Sequence, residues 1–202
     1  TRDGFECDAI DFSYMGALDS IADYAVELAW KIEAGYANHR AIAVVAHSMG
    51  GLVTRYYLKN LRTSDQVKTV ITVATPHHGT FGGMILPPRS VPTSEMLPGS
   101  SFLEELNSVS ETAPGVDFHA IWTPTDGVVI PAENSIMCGA RNYKVSGLGV
   151  THLGLLMSDA AYAIILDVLR GQKPPTTGPQ TRDHYEAREN PLPWLKLRDE
   201  RQ

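Results

Sequence analysis

The stretch Ala41-Ile-Ala-Val-Val-Ala-His-Ser48-Met-Gly-Gly-Leu52 places an alanine-rich and β-branched run directly before a serine. The run shows no polar alternation, which predicts a parallel strand buried on both faces. Residues 52–61 follow with apolar side chains at helical spacing. A serine on so tight a strand-to-helix turn is pushed out of the backbone above the helix amides, as a nucleophile requires. The alternative is a glycine-rich turn in which Ser48 caps the helix.

Composition limits the classes of protein to which this chain can belong. Its 202 residues fit one domain, and 43% hydrophobic residues are ordinary for a globular protein. A net charge of −6 argues against a nucleic-acid partner. No apolar run approaches the length of a transmembrane segment. The sequence starts at Thr1 without a signal peptide, and Cys7 and Cys138 leave the redox compartment open.

Strands alternate with helices along the chain, which predicts an α/β fold with a mostly parallel sheet and helices on both faces. The predicted strands cover residues 9–12, 41–46, 67–74, 118–122 and 143–145, and the main helices cover 21–35, 52–61 and 155–169. This folded unit spans residues 1–170, and residues 171–202 are expected to form a linker and a charged tail. Reactive groups in such folds cluster at the carboxyl ends of the strands.

Two further residues follow strand ends and could complete a catalytic group with Ser48. A serine needs a base and the base needs an orienting carboxylate, and the order Ser, Asp, His accompanies this type of turn. Asp126 precedes Gly127 after one strand, and His152 lies in a glycine-rich turn after another. The alternatives are a turn aspartate and a surface histidine that caps a helix.

The other histidines fit structural roles better. His77 and His78 precede every good acid candidate and are expected to line the cleft mouth or to hydrogen-bond locally, while His47 lies inside the turn and His119 within a strand. No pair has the spacing and support of a metal site, so neither a metal nor a cofactor is predicted. Residues 77–115 are rich in glycine and proline, and their part from 81 to 98 carries apolar residues that could form an acyl-binding wall or pack back on the core.

Five motifs together resemble the small secreted bacterial lipases of the α/β-hydrolase superfamily, with alanine in place of the first glycine of the nucleophile turn. The resemblance covers roughly residues 5–170 and implies an α/β-hydrolase fold. It implies Ser48 as nucleophile, His152 as base, Asp126 as orienting acid and the Met49 amide as an oxyanion donor. The motifs are Val45–Leu52 with Arg55-Tyr-Tyr57, Thr75-Pro-His-His-Gly79, Leu97-Pro-Gly99, Asp126-Gly-Val-Val-Ile130 and Gly149-Val-Thr-His-Leu-Gly-Leu-Leu156.

The function implied by this resemblance is a serine carboxylic ester hydrolase, most simply a triacylglycerol lipase or lipid esterase. Its substrate would be a lipid or small ester, reached through transient contact with a lipid interface, and secretion would fit such a protein. An acyltransferase, a lipid deacylase on the same triad and a catalytically impaired fragment are the alternatives.

The sequence differs from these lipases at its start. Such lipases begin with a strand that ends in a His-Gly loop, and that loop supplies the second oxyanion amide. No such segment precedes Glu6, so we expect an N-terminally shortened hydrolase. Its sheet should contain a gap of about 10 Å or a direct pairing of the strands on either side.

Overall fold

The computed structural model describes residues 3–10, 20–37, 39, 41–82 and 90–180. Along the chain, helix α1 precedes the first strand and α2 follows it, and α2 continues as a π-helical turn at Tyr57–Leu61. The elements are α1 (Ile21–Gly35), β1 (Ile42–His47), α2 (Met49–Tyr56), β2 (Val67–Val73), α3 (Val91–Glu95), α4 (Ser101–Asn107), β3 (Asp117–Trp122), β4 (Arg141–Lys144) and α5 (Asp159–Leu169).

The four strands form one parallel sheet in the order β1-β2-β3-β4. Alternate side chains of β2 and β3 enter two separate cores. Val70 and Phe118 pack with α1, α2 and α4 on one face, whereas Ile71 and Ile121 pack with α5 on the other. The sheet therefore has helices on both faces, and the predicted fold class is confirmed.

Helix α1 begins where the sequence predicts. Ser20 accepts a hydrogen bond from the Asp23 amide, and the Asp23 carboxylate accepts one from the Ser20 amide, which together make a capping box. The buried face of α1 carries Ile21, Tyr24 and Leu28 at helical spacing. In the described residues, no helix is long and apolar enough to cross a membrane.

Strand β1 differs from the expectation of burial on both faces. Ile42 and Val44 pack on the core formed with α1 and α2, but Val45 on the opposite face is 48% exposed. The reason is that α5 packs against the residues of β2, β3 and β4 and leaves that face of β1 uncovered. Within the described ranges, β1 pairs with β2 alone.

The predicted strand at residues 9–12 is wrong where the structure describes it, since Ala9 and Ile10 have no strand conformation and the next residues lie outside the described ranges. Ile10 packs against the core instead. The described residues therefore show neither a gap in the sheet nor a direct pairing of this segment with β1.

The end of the chain differs from the prediction in two details. The last helix begins at Asp159 and not at Leu155, because a short 3-10 turn at Gly154–Met157 precedes it and Ser158 caps it. After α5, the Thr177 backbone carbonyl accepts a hydrogen bond of 2.9 Å from the Lys144 amide. The first residues of the predicted linker thus contact the edge strand β4, whereas residues 181–202 lie outside the described part.

Candidate active site

The turn between β1 and α2 holds Ser48 in a strained conformation with φ 54° and ψ −128°. A positive φ is unfavourable for a residue with a Cβ and persists only where neighbouring contacts impose it. Two contacts with the β2 segment do so here: the Ser48 amide donates to the Val73 carbonyl at 2.8 Å, and the Thr75 hydroxyl donates to the Ser48 carbonyl at 2.8 Å. The turn is therefore held by the strand beside it.

Gly50 and Gly51, which follow Met49, differ in the space available for a side chain. A Cβ on Gly51 would lie 2.2 Å from the Thr75 hydroxyl oxygen, so this position admits no side chain. A Cβ on Gly50 would meet only the Ala46 Cβ at an ordinary 3.8 Å.

The structure brings Ser48, Asp126 and His152 together. The Nε2 atom of His152 lies 3.0 Å from Ser48 Oγ, and its Nδ1 atom lies 2.9 Å from Asp126 Oδ2. His152 and Asp126 are buried, at 6% and 8% exposed. This is the arrangement of a serine, a base and an orienting carboxylate.

Main-chain amides in the loop after β3 hold the Asp126 carboxylate in its orientation toward the histidine. Its Oδ1 accepts hydrogen bonds from the Val128 and Val129 amides at 2.9 and 2.8 Å. Both carboxylate oxygens then face the imidazole, with Oδ2 at 2.9 Å and Oδ1 at 3.1 Å from His152 Nδ1, and the carboxylate cannot rotate without losing two main-chain bonds.

The loop after β4 is held in place on two sides. The hydroxyls of Thr123 and Thr125 donate to the Val150 carbonyl at 3.1 and 2.5 Å. On the other side, Nε2 of His47 donates to the His152 carbonyl at 3.1 Å, and the two rings lie 4.7 Å apart. Burial lowers the pKa of His47, with the His152 ring adding to that effect, and its neutral form can still donate through Nε2.

Met49 is the first residue of α2, so its amide has no acceptor within the helix. Such an amide beside the serine can donate to an oxyanion, and the helix dipole favours negative charge there.

His77 and His119 have structural contacts. His77 is fully buried and lies 3.1 Å from the Thr72 hydroxyl, while its other ring nitrogen lies 3.4 Å from the Arg55 guanidinium. Burial, Arg55 and a neighbouring histidine lower the pKa of His77 well below its ordinary value. His119 lies within β3 and contacts Tyr143 and Asp117. The expectation of local hydrogen bonding thus describes His77, but its place is the interior and not the cleft mouth.

The segment expected to line an acyl site is described only in part, since residues 83–89 lie outside the described ranges. Val91 begins α3, and Met96 packs against the core shared by α1 and α2. The Thr80 amide also donates to the Met96 carbonyl at 2.7 Å. For Met96, packing on the core therefore describes the structure better than an acyl-binding wall.

Sequence reasoning missed three supports of the site: His47, Thr75 and the pair formed by Thr123 and Thr125. Thr75 is the first residue of the Thr75-Pro-His-His-Gly79 motif, but the sequence does not reveal its hydrogen bond to the Ser48 carbonyl. The sequence gives no indication of the contacts made by His47, Thr123 and Thr125, because their partners lie 25 or more positions away in the chain.

Comparison with known proteins agrees with this architecture. Residues 8–82 match a family profile described as a PGAP1-like alpha/beta domain. The structure of Aspergillus fumigatus lipase B superposes with a TM-score of 0.68 at 20% identity, covering 78% of this chain and 44% of that one. This chain thus spans less than half the length of that lipase.

Two bacterial structures are also similar. The mature lipase BlEst2 of Bacillus licheniformis gives a TM-score of 0.59 at 17% identity, covering 75% of both chains. The phospholipase PlaB of Legionella pneumophila gives a TM-score of 0.58 at 17% identity, covering 78% of this chain and 49% of that one.

The fold of this chain is that of the α/β-hydrolases. Structures of proteins named as lipases are among those that share this fold. The resemblance drawn from the sequence motifs is thereby confirmed at the level of the fold.

Proposed function

We propose that this protein is a serine carboxylic ester hydrolase that acts on lipid esters through an acyl-enzyme at Ser48. The observation that carries the proposal is the continuous chain from Ser48 Oγ to His152 Nε2 and from His152 Nδ1 to Asp126, at 3.0 and 2.9 Å. Side chains from three separate loops meet in that order.

In the proposed reaction, His152 takes the proton from Ser48 Oγ as the oxygen attacks the ester carbonyl. Asp126 holds the imidazole with Nδ1–H toward itself and stabilises the imidazolium that forms. The Met49 amide donates to the developing oxyanion. His152 then returns its proton to the leaving alcohol, and water, activated by the same histidine, releases the acid.

The surface around the triad favours an apolar substrate. Exposed apolar side chains flank the loops that carry the acid and the base: Val128 follows Asp126, while Leu148 and Leu153 lie on either side of His152. Leu156 and Met157, which follow in the chain, are also exposed. Exposed apolar side chains on these loops suit contact with acyl chains or a lipid surface, which supports a lipid ester over a polar one.

Replacement of Ser48 by alanine tests the proposal directly. We expect Ser48→Ala to lose turnover of a p-nitrophenyl acyl ester and labelling by a fluorophosphonate, with an unchanged circular dichroism spectrum. Ser158→Ala, which removes the hydroxyl of another serine, the one that caps α5, provides the matched control. Wild-type turnover by the folded Ser48→Ala protein would exclude Ser48 as the nucleophile.

A further inference from the structure

A second group of chemically reactive side chains lies apart from the triad. His78, Glu111 and Cys138 come from three segments: the loop after β2, the segment between α4 and β3, and the turn before β4. One possible ligand atom from each residue lies within 4.8 Å of those of the other two. All three residues are partly buried, so the group is shielded but still within reach of solvent.

We infer that His78, Glu111 and Cys138 form a zinc-binding site that ties these three segments together. The donor set is one imidazole nitrogen, one carboxylate oxygen and one sulfur, which suits Zn²⁺. Calcium and magnesium require several oxygen ligands and are disfavoured by this set. A thiolate, a carboxylate and a neutral imidazole also balance the charge of a divalent ion.

The geometry of the histidine and the carboxylate fits such an ion. His78 Nε2 and Glu111 Oε1 lie 3.3 Å apart, and two ligands at about 2.0 Å from a tetrahedral zinc are separated by about 3.3 Å. The Nε2 atom is buried, yet no described residue is aligned to hydrogen-bond with it. The two atoms lie within ion-pair distance and also have the spacing of two ligands around a common centre.

Hydrogen bonds from neighbouring residues orient Glu111 and His78 before any ion binds. The second carboxylate oxygen of Glu111 accepts a 2.7 Å hydrogen bond from the Cys138 amide, and its main-chain carbonyl accepts one from Arg55 Nε at 3.0 Å. The His78 amide donates to the Asn134 carbonyl at 3.2 Å. Such partners orient metal ligands and restrict their movement.

The position of His78 explains what the ion would do. Thr75, three residues before it, holds the Ser48 carbonyl, and the Thr80 hydroxyl, two residues after it, donates to the Val128 carbonyl beside Asp126. An ion bound to His78 would restrain residues 75–80, which contact both the turn that carries Ser48 and the loop that carries Asp126. We expect a stabilising role, with a solvent molecule in the fourth position.

The test is metal binding to the full 202-residue chain after treatment with a chelator. Titration with Zn²⁺ against a chromophoric competitor should show one equivalent bound, and Co²⁺ should produce a thiolate-to-cobalt charge-transfer band. At a zinc concentration 100 times the Kd, the melting temperature should rise by roughly 5 to 10 °C.

The two cysteines provide a matched pair of variants. Cys138→Ser should lose the charge-transfer band and bind zinc at least tenfold more weakly, whereas Cys7→Ser, at the exposed second cysteine, should behave as wild type. If Cys138→Ser does not fold, Glu111→Gln serves instead, because its amide oxygen can still accept from the Cys138 amide. The inference is overturned if the wild type binds no zinc, if Cys7→Ser removes the band, or if folded Glu111→Gln binds as tightly as wild type.

Discussion

Replacement of Asp126 by asparagine would separate the orienting role of this carboxylate from its packing. In the structure Oδ1 accepts from two main-chain amides at 2.8 and 2.9 Å and lies 3.1 Å from His152 Nδ1, while Oδ2 is the nearer oxygen to that atom at 2.9 Å. An asparagine must keep its carbonyl oxygen toward the two amides, because the opposite orientation would set an NH₂ group against two N–H donors. Its NH₂ group is then directed at His152 Nδ1.

That orientation reverses the hydrogen bonding of the imidazole. Nδ1 of His152 would accept a hydrogen bond from the new NH₂ group, so the neutral ring would carry its hydrogen on Nε2, which lies 3.0 Å from Ser48 Oγ. A protonated Nε2 cannot take the serine proton. The loss expected from a wrong tautomer is about 10⁴-fold in kcat, which corresponds to about 5.4 kcal/mol in the activation free energy.

The assay is steady-state hydrolysis of a p-nitrophenyl ester, with thermal unfolding as the check on folding. Both main-chain bonds to position 126 survive, so the melting temperature should change little. The matched control is Asp117→Asn, which alters another aspartate beside a histidine, with Asp117 Oδ2 3.2 Å from His119 Nε2 at the start of β3. Asp117→Asn should retain wild-type activity. A folded Asp126→Asn enzyme within tenfold of wild-type kcat would refute the assignment of Asp126 as the orienting acid.

Two other predictions follow from the packing of the site. In Gly51→Ala the new Cβ would lie 2.2 Å from the Thr75 hydroxyl oxygen and displace it from the nucleophile turn, so ester turnover should fall by about 100-fold. Gly50→Ala, with only a 3.8 Å contact, should remain active, and equal activity of the two variants would contradict this reasoning. Because burial lowers the pKa of His77 well below 6.5, the unfolded chain binds a proton that the folded chain does not. The free energy of unfolding should then decrease as the pH falls below about 6.5, by up to about 1.4 kcal/mol per pH unit. Urea unfolding across this range would measure the slope, and an unchanged slope in His77→Gln would exclude His77 as its source.

The order of the elements is a local property, and the sequence predicts it well. The capping serine and the 3.6-residue spacing of apolar residues determine α1, and β-branched runs mark β2 and β3. The prediction was wrong for Ala9 and Ile10: Ile10 packs against the core without strand conformation, and a short apolar run does not by itself determine strand pairing. It was also wrong about the second face of β1, whose burial depends on where α5 packs.

By itself, the sequence determined the α/β fold class and the three residues proposed to carry the chemistry. Ser48, Asp126 and His152 follow strand ends, and in a parallel sheet those ends share one edge. Only the tertiary structure decided that their atoms lie 3.0 and 2.9 Å apart, and that His47 and Thr75 hold the surrounding loops. It alone placed His78, Glu111 and Cys138 within reach of one ion. The physical reason is that strand and helix patterns depend on neighbouring residues, whereas such groups form from loops that are far apart in the chain and whose positions the packing of the whole domain determines.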